Sequence, residues 1–300
     1  MRTKKRRVLS LLVSLMALFV LWSPIQPVQA EVSDEVPIAF EDPVFARLLQ
    51  AELVNETIFP SDLVGFSGIQ IAADEYLFLS GQGRPGKNVI LHGQDTFEYE
   101  GRRYTNYGTM KTLMDLKHFP DLTALRVTLQ PQLDYSTIPI LDRLVQINIT
   151  QSKLTDIAFL STATRLVWLN MPFNDIIEIG PLANCVSLRR ISFNWNQISD
   201  LSPLAGLTGL KSISFYGNKI TDISALGGLK DLEEIGFYNN QITNISVLKE
   251  LTNLKKVELI NNKIKDVSPL KDFTSFERLA LTGNPIKNIK VLKHIKNLEF

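Results

Sequence analysis

The sequence predicts an α/β solenoid, short parallel strands stacked coil upon coil, and three observations predict it. The first is a near-verbatim restatement: "FYGNKITDISAL" at 215–226 returns 22 residues later as "FYNNQITNISVL" at 237–248. The second is a column of asparagines, Asn174, Asn196, Asn218, Asn240, Asn262 and Asn284, every interval being 22. The third is the apolar positions, which keep the same step. Leu166, Leu188, Leu210, Leu232 and Leu254 form one column, while Leu169, Ile191, Ile213, Ile235, Val257 and Leu279 form the next. Met171, Phe193, Phe215, Phe237, Leu259 and Leu281 form a third. Self-similarity at a fixed period of about 20–50 residues is the mark of a repeat architecture.

The unit is clearest in "LTNLKKVELINNKIKDVSPL" at 251–270. Alternation in "VEL" turns Val257 and Leu259 inward from a short strand and Glu258 outward. Asn262 stands where the chain must bend away, and its amide both donates and accepts, so it can satisfy backbone groups that the bend leaves unpaired. Ile264, Val267 and Leu270 return inward. Asp266 is placed to cap a short turn, and Pro269 discourages a long helix. One coil cannot bury its own apolar face, but stacked coils share a core and a parallel sheet.

The pattern L-x-x-L-x-x-L-x-L-x-x-N-x-I-x-D-I-x-x-L resembles the 22-residue leucine-rich repeat of internalin-like bacterial surface proteins. Eight windows run from Phe119 to His294, with a partial ninth to Phe300. The resemblance implies a right-handed superhelix, a parallel sheet on the concave face and 3₁₀ turns on the convex one. The first windows depart from the pattern: Gln130 and Ser152 stand in the asparagine column and Gln132 in an isoleucine position.

The segments before the repeats read in order. Residues 1–30 have the layout of a secretory signal: a basic start, the apolar stretch "VLSLLVSLMALFVLW", and cleavage near Ala30–Glu31. Without that segment the chain carries 27 basic against 31 acidic residues, net −4, which gives no electrostatic footprint for nucleic acid. No later segment is long and apolar enough to span a membrane, and Cys185, the one cysteine, excludes an internal disulfide. "FEDPVFARLLQAEL" at 40–53 predicts a helix with Asp42 as N-cap and Pro43 in its first turn. Ser61 is the expected cap of a second short turn, and 31–68 as a whole resembles the helical cap of the internalin-like family. Residues 69–118 read as a β-rich insertion and transition, and 119–300 as the repeats. "LEF" at the end is expected to form a last strand with an unusual end, or to lead into a longer chain.

Catalytic and metal motifs are weak. "GQGRPG" at 81–86 matches a dinucleotide fingerprint by letter, but a strand-like "KNVILHG" follows where that chemistry needs a helix. It is expected to be a glycine turn. His92, His118 and His294 lack metal-ligand spacing. The column Asp134, Asp156, Asp200, Asp222 and Asp266 is expected to cap turns rather than hold a hard cation, since Asn244 and Asn288 share the position. Asn55, Asn148 and Asn244 fit the glycosylation sequon. Nothing points to an enzyme, and no cofactor or metal is expected.

The outward strand positions carry the functional expectation. Trp168, Phe173, Trp195, Tyr216, Tyr238 and Ile260 read as a diagonal aromatic stripe, edged by Arg190, Glu234, Lys256, Glu258 and Arg278. Trp and Tyr are enriched at binding hot spots because they bury large area at little entropic loss. The expectation is an exported, non-catalytic binder of a protein ligand on the concave face. The alternatives are a structural spacer of the cell envelope, or carbohydrate binding by the same aromatics.

Overall fold

The computed structural model describes residues 35–296 and 298–300; the export signal expected over 1–30 lies outside the described residues. The first element is helix α1 (Pro43–Leu53), and the reason it starts there is Asp42. The Asp42 carboxylate accepts from the backbone N–H groups of Val44 (2.9 Å) and Phe45 (3.2 Å), and from that of Lys111 (2.7 Å). Asp115, fully buried, accepts in turn from the amides of Glu41 (2.8 Å) and Asp42 (2.9 Å). Two carboxylates thus fasten the helix to the first coil, and Phe45, Leu48 and Leu49 pack beneath it.

Ser61 does not cap the next turn. The 3₁₀ turn Pro60–Leu63 opens on the proline, and it is the Asp62 carboxylate that accepts from the Phe59 N–H at 2.8 Å. Ser61 lies inside the turn, too late to serve that amide.

Strands β1 (Phe66–Ala72) and β2 (Tyr76–Gly81) form an antiparallel hairpin, and β1 also pairs in parallel with β6 (Ala124–Thr128). The hairpin is therefore the edge of the main sheet, and the division expected at 68/69 falls inside β1. Register explains it: Ile69 sits opposite Leu125 and Ile71 opposite Val127, so β1 buries its apolar side on the first coil. Only β3 (Ile90–His92), β4 (Thr96–Tyr99) and β5 (Arg102–Tyr104) make a separate three-stranded sheet. In "GQGRPG" the amide of Arg84 donates to the Gly81 carbonyl at 2.8 Å and Gly83 takes φ +78, a tight turn with no helix after it.

From β6 the chain repeats: β7 (Gln146–Thr150), β8 (Trp168–Asn170), β9 (Arg190–Ser192), β10 (Ser212–Ser214), β11 (Glu234–Gly236), β12 (Lys256–Glu258) and β13 (Arg278–Ala280). Each pairs in parallel with its neighbours, in register 22 residues apart, so that Ile213 lies opposite Ile191 and Ile235. The last step is shorter. Leu279 faces Leu298 of β14 (Leu298–Glu299). The inward columns are buried, and Phe193, Phe215 and Phe237 stack ring on ring at 5.7 and 5.9 Å. Each coil returns through a 3₁₀ turn such as Ser224–Gly228 or Ser246–Glu250. The aspartate column caps these turns: Asp200, Asp222 and Asp266 each accept from the amide two residues on at 2.8 Å, and Asn244 does the same. Those N–H donors hold the Asp200 and Asp266 carboxyls below their ordinary range.

The asparagine column joins coil to coil. The Asn218 Nδ2 donates to the carbonyls of Phe193 (2.9 Å), Phe215 (3.1 Å) and Tyr216 (3.2 Å), and its Oδ1 accepts from the Ile198 N–H at 3.0 Å. Asn196, Asn240 and Asn262 repeat the arrangement. Asn218→Ala should strand these buried backbone groups and destabilise the chain by about 2–4 kcal/mol, since each unsatisfied group costs roughly 1–3 kcal/mol. Chemical denaturation against the exposed control Ser199→Ala checks it.

Candidate functional site

The open face of the sheet carries the side chains that alternate with the buried columns. Register sorts the expected site residues into four positions. Trp168, Arg190, Glu234, Lys256 and Arg278 share one row across β8 to β13. Glu258 lies in the next row, opposite Gly236 and Ala280. Tyr216, Tyr238 and Ile260 lie beyond the ends of their strands, and Phe173 and Trp195 one position further into the bend.

The aromatics therefore do not form one diagonal stripe. With three-residue strands, the bend before each asparagine carries Phe173 and Trp195 away from the row of Trp168. Four rings do assemble. Phe173 and Trp195 lie parallel at 6.2 Å; Trp195 meets Tyr238 edge-on at 6.4 Å; Tyr238 meets Tyr216 edge-on at 6.1 Å. Trp168 is instead partnered by the Arg126 guanidinium, 5.9 Å from its ring centre.

Backbone geometry sets the cluster apart from the coils that follow it, though Leu129 and Gln151 hold the same left-handed position before it. The bend position takes a left-handed φ in coil after coil, and three neighbouring coils fill it with Gly217, Asn239 and Asn261, residues that tolerate it. Phe173 (φ 57) and Trp195 (φ 59) occupy the same position with bulky rings. Trp195 is 37% exposed. Its ring lies over Gly217, where a Cβ would come within 2.2 Å, and the Tyr216 ring lies over Gly236, where a Cβ would come within 2.4 Å. The Tyr216 hydroxyl donates to Glu258, and Asn194 Oδ1 accepts from the Tyr216 amide at 2.7 Å.

The expected specificity charges are mostly paired with one another. Lys256 bridges Glu234 (2.8 Å) and Glu277 (3.6 Å), while Arg278 bridges Glu258 (3.1 Å) and Glu299 (3.2 Å). The hydrogen bond from Lys256, ahead of its charge, holds the Glu234 carboxyl below its usual range and the lysine above its own.

Side chains outside the repeat pattern tie the first coils together. Gln130 Nε2 donates to the Ala73 carbonyl at 2.7 Å, and Ser152 Oγ accepts from the Gln130 amide at 3.2 Å. Gln151 Nε2 donates to the carbonyls of Gly93 (2.6 Å) and Thr96 (2.7 Å), fixing the β3–β4 turn over the sheet. For Gln130 and Ser152 the departure from the asparagine column was the available signal, while Gln151 stands in the bend column and carried none. Elsewhere, burial raises the Cys185 thiol to about 11, unsuited to nucleophilic chemistry. His92 contacts Glu98 at 3.1 Å, His294 the Phe273 carbonyl at 2.9 Å, and His118 is held low by burial. Among the described residues no three His, Cys, Asp or Glu side chains gather as a metal site, and no helix is long and apolar enough to cross a membrane.

Comparison with known proteins agrees with this architecture. The family described as Leucine Rich repeats (2 copies) matches residues 208–250. Among solved structures, internalin C2 of Listeria monocytogenes is similar over 86% of this chain and 99% of its own, at 21% identity and a TM-score of 0.60. An internalin (inlF) of the same organism is similar over 87% and 96%, at 22% identity and 0.51. A leucine-rich repeat protein of Leptospira interrogans is similar over 63% and 52%, at 24% identity and 0.56. A search of curated proteins by sequence found no match. The chain is a leucine-rich repeat solenoid. Within that class its fold is internalin-like, from the capped first coil through the parallel sheet.

Two outcomes follow from the packing and the charges. Gly236→Ala should drive a methyl into the Tyr216 ring and destabilise the chain by about 1–3 kcal/mol, the range for overpacking, read by thermal melting. Because the folded Glu234 carboxyl is depressed, its contribution is complete above the ordinary value of about 4.3 and lost as pH falls through the lower folded value. Lys256→Met should flatten that acid-side loss of melting temperature, a small change for so exposed a pair.

Proposed function

We propose that this chain is an exported, non-catalytic binding protein that takes a protein ligand on its concave face, at the cluster Phe173, Trp195, Tyr216 and Tyr238. The observation that carries the reading is the placement of Phe173 and Trp195 at a left-handed bend where the coils that follow use Gly217, Asn239, Asn261 and Gly283. A bulky residue there costs about 1–2 kcal/mol, and such strain concentrates at functional positions. The return is a group of rings held partly open to solvent, two of them seated over Gly217 and Gly236. Aromatic residues of this kind anchor interfaces, and solenoids present them on extended concave surfaces. The paired charges of Glu234, Lys256, Glu258 and Arg278 border the cluster and orient a partner through complementary potential, with Arg190 alongside. The basic and apolar first 30 residues supply the route of export.

The test separates binding from stability. Trp195→Asn relieves the backbone strain and should leave folding stability within about 1 kcal/mol of the parent. Capture of a surface-protein ligand by cross-linked pull-down, followed by direct titration with the purified ligand, should weaken at least tenfold in the same variant. Equal affinity for parent and variant would move recognition off the cluster, and no ligand for either would leave the spacer role.

A further inference from the structure

The open face has a second region, at its N-terminal end and apart from the aromatic cluster. Four polar side chains occupy one row across four adjacent strands: Gln70 on β1, Arg126 on β6, Asn148 on β7 and Asn170 on β8. At about 4.8 Å between strands the row is roughly 14 Å long. The segment entering β3 faces it. Asn88, Val89 and Leu91 line the far wall, closing a cleft of about 280 Å³ whose end is formed by Trp168. A cleft of about 380 Å³ adjoins it through Gln70 and Arg126 and reaches Lys87. Gln151 fixes the turn that follows β3, so the wall is built in and does not depend on a ligand.

The row is not satisfied internally. Gln70 is only 6% exposed, lines both clefts, and its amide has no partner among the described residues. Asn148 and Asn170, half-buried, line the smaller cleft, and their side-chain amides also have no partner among the described residues. Arg126 rests against Trp168, and no carboxylate among the described residues pairs with it. These amides keep donor and acceptor capacity open to the cleft, where a polar ligand can meet it.

The lining states what that is. Arg126 and Lys87 are the charged side chains around the two clefts, and neither cleft is lined by an aspartate or glutamate. Amides both donate and accept, which matches a hydroxyl group that does both. Arginine supplies a planar fork for a carboxylate, and an indole offers a flat apolar surface. A bound peptide would call for an open strand edge or apolar side-chain pockets, and this cleft is dominated by amides and hydroxyls. We propose that the cleft between the Gln70–Arg126–Asn148–Asn170 row and the β3 wall binds a carboxylated saccharide.

Isothermal titration of the full chain with a panel of acidic saccharides, the disaccharides of galacturonate and glucuronate and N-acetylneuraminic acid, tests it. At least one should bind, with a change in tryptophan fluorescence, and weaken at least tenfold in Arg126→Gln and in Asn148→Ala, both checked for folding by circular dichroism. Trp195→Asn should leave that binding unchanged, which separates this site from the aromatic cluster. Equal affinity for a neutral disaccharide, displacement by a polyglutamate peptide in preference to the sugar, or no binding across the panel would each overturn the proposal.

Discussion

Everything in this chain depends on an amide that each coil lends to the one before it. Asn218 accepts from Ile198 and donates to Phe193 in the preceding coil while closing its own bend through Phe215 and Tyr216. No coil is satisfied alone, so the 22-residue step is enforced by hydrogen bonding as well as by apolar fit. Because the step is fixed, so are the rows of the open face. Which side chains meet there is decided by register: Lys256 reaches Glu234 because β11 and β12 are held in line.

The ladder must also begin somewhere, and its start is built differently. Ahead of Asn174 the column holds Ser152 and then Gln130, whose longer amide reaches the Ala73 carbonyl at the end of β1. Gly108 leaves the room that Gln130 occupies; a Cβ there would come within 2.3 Å of it. Asp42 and Asp115 complete the closure by tying α1 to residues 111–115. The first coil is thus sealed by polar side chains that bond mostly to backbone, in place of another coil.

Much of this was legible in the sequence, because a repeated physical problem leaves a repeated residue. The asparagine, leucine and aspartate columns each recur at one structural position, and a reader can average over copies. Asp42 was legible for a different reason, its place one residue before Pro43. What occurs once was not legible. β1 carries no asparagine and no second copy, so its place in the main sheet rests on a register with β6 that no spacing announces. Ser61 looked like a cap beside Pro60, but Asp62 is the side chain that reaches Phe59. The aromatic residues were identifiable as outward. Their assembly was not, because two residues of sequence decide whether a ring stands on the strand, as Trp168 does, or in the bend, as Trp195 does. Gln151 was the least visible, since its partners at Gly93 and Thr96 lie more than fifty residues back.

The pin made by Gln151 sets a boundary between two kinds of inheritance. The wall over the open face is attached to the coil that ends in Ser152, and beyond Asn174 each strand pairs only with its neighbours. A duplication or loss of one whole 22-residue unit further along would lengthen or shorten the solenoid while leaving the roofed end intact. The N-terminal end is therefore free to keep one specificity while the remainder of the chain varies in reach.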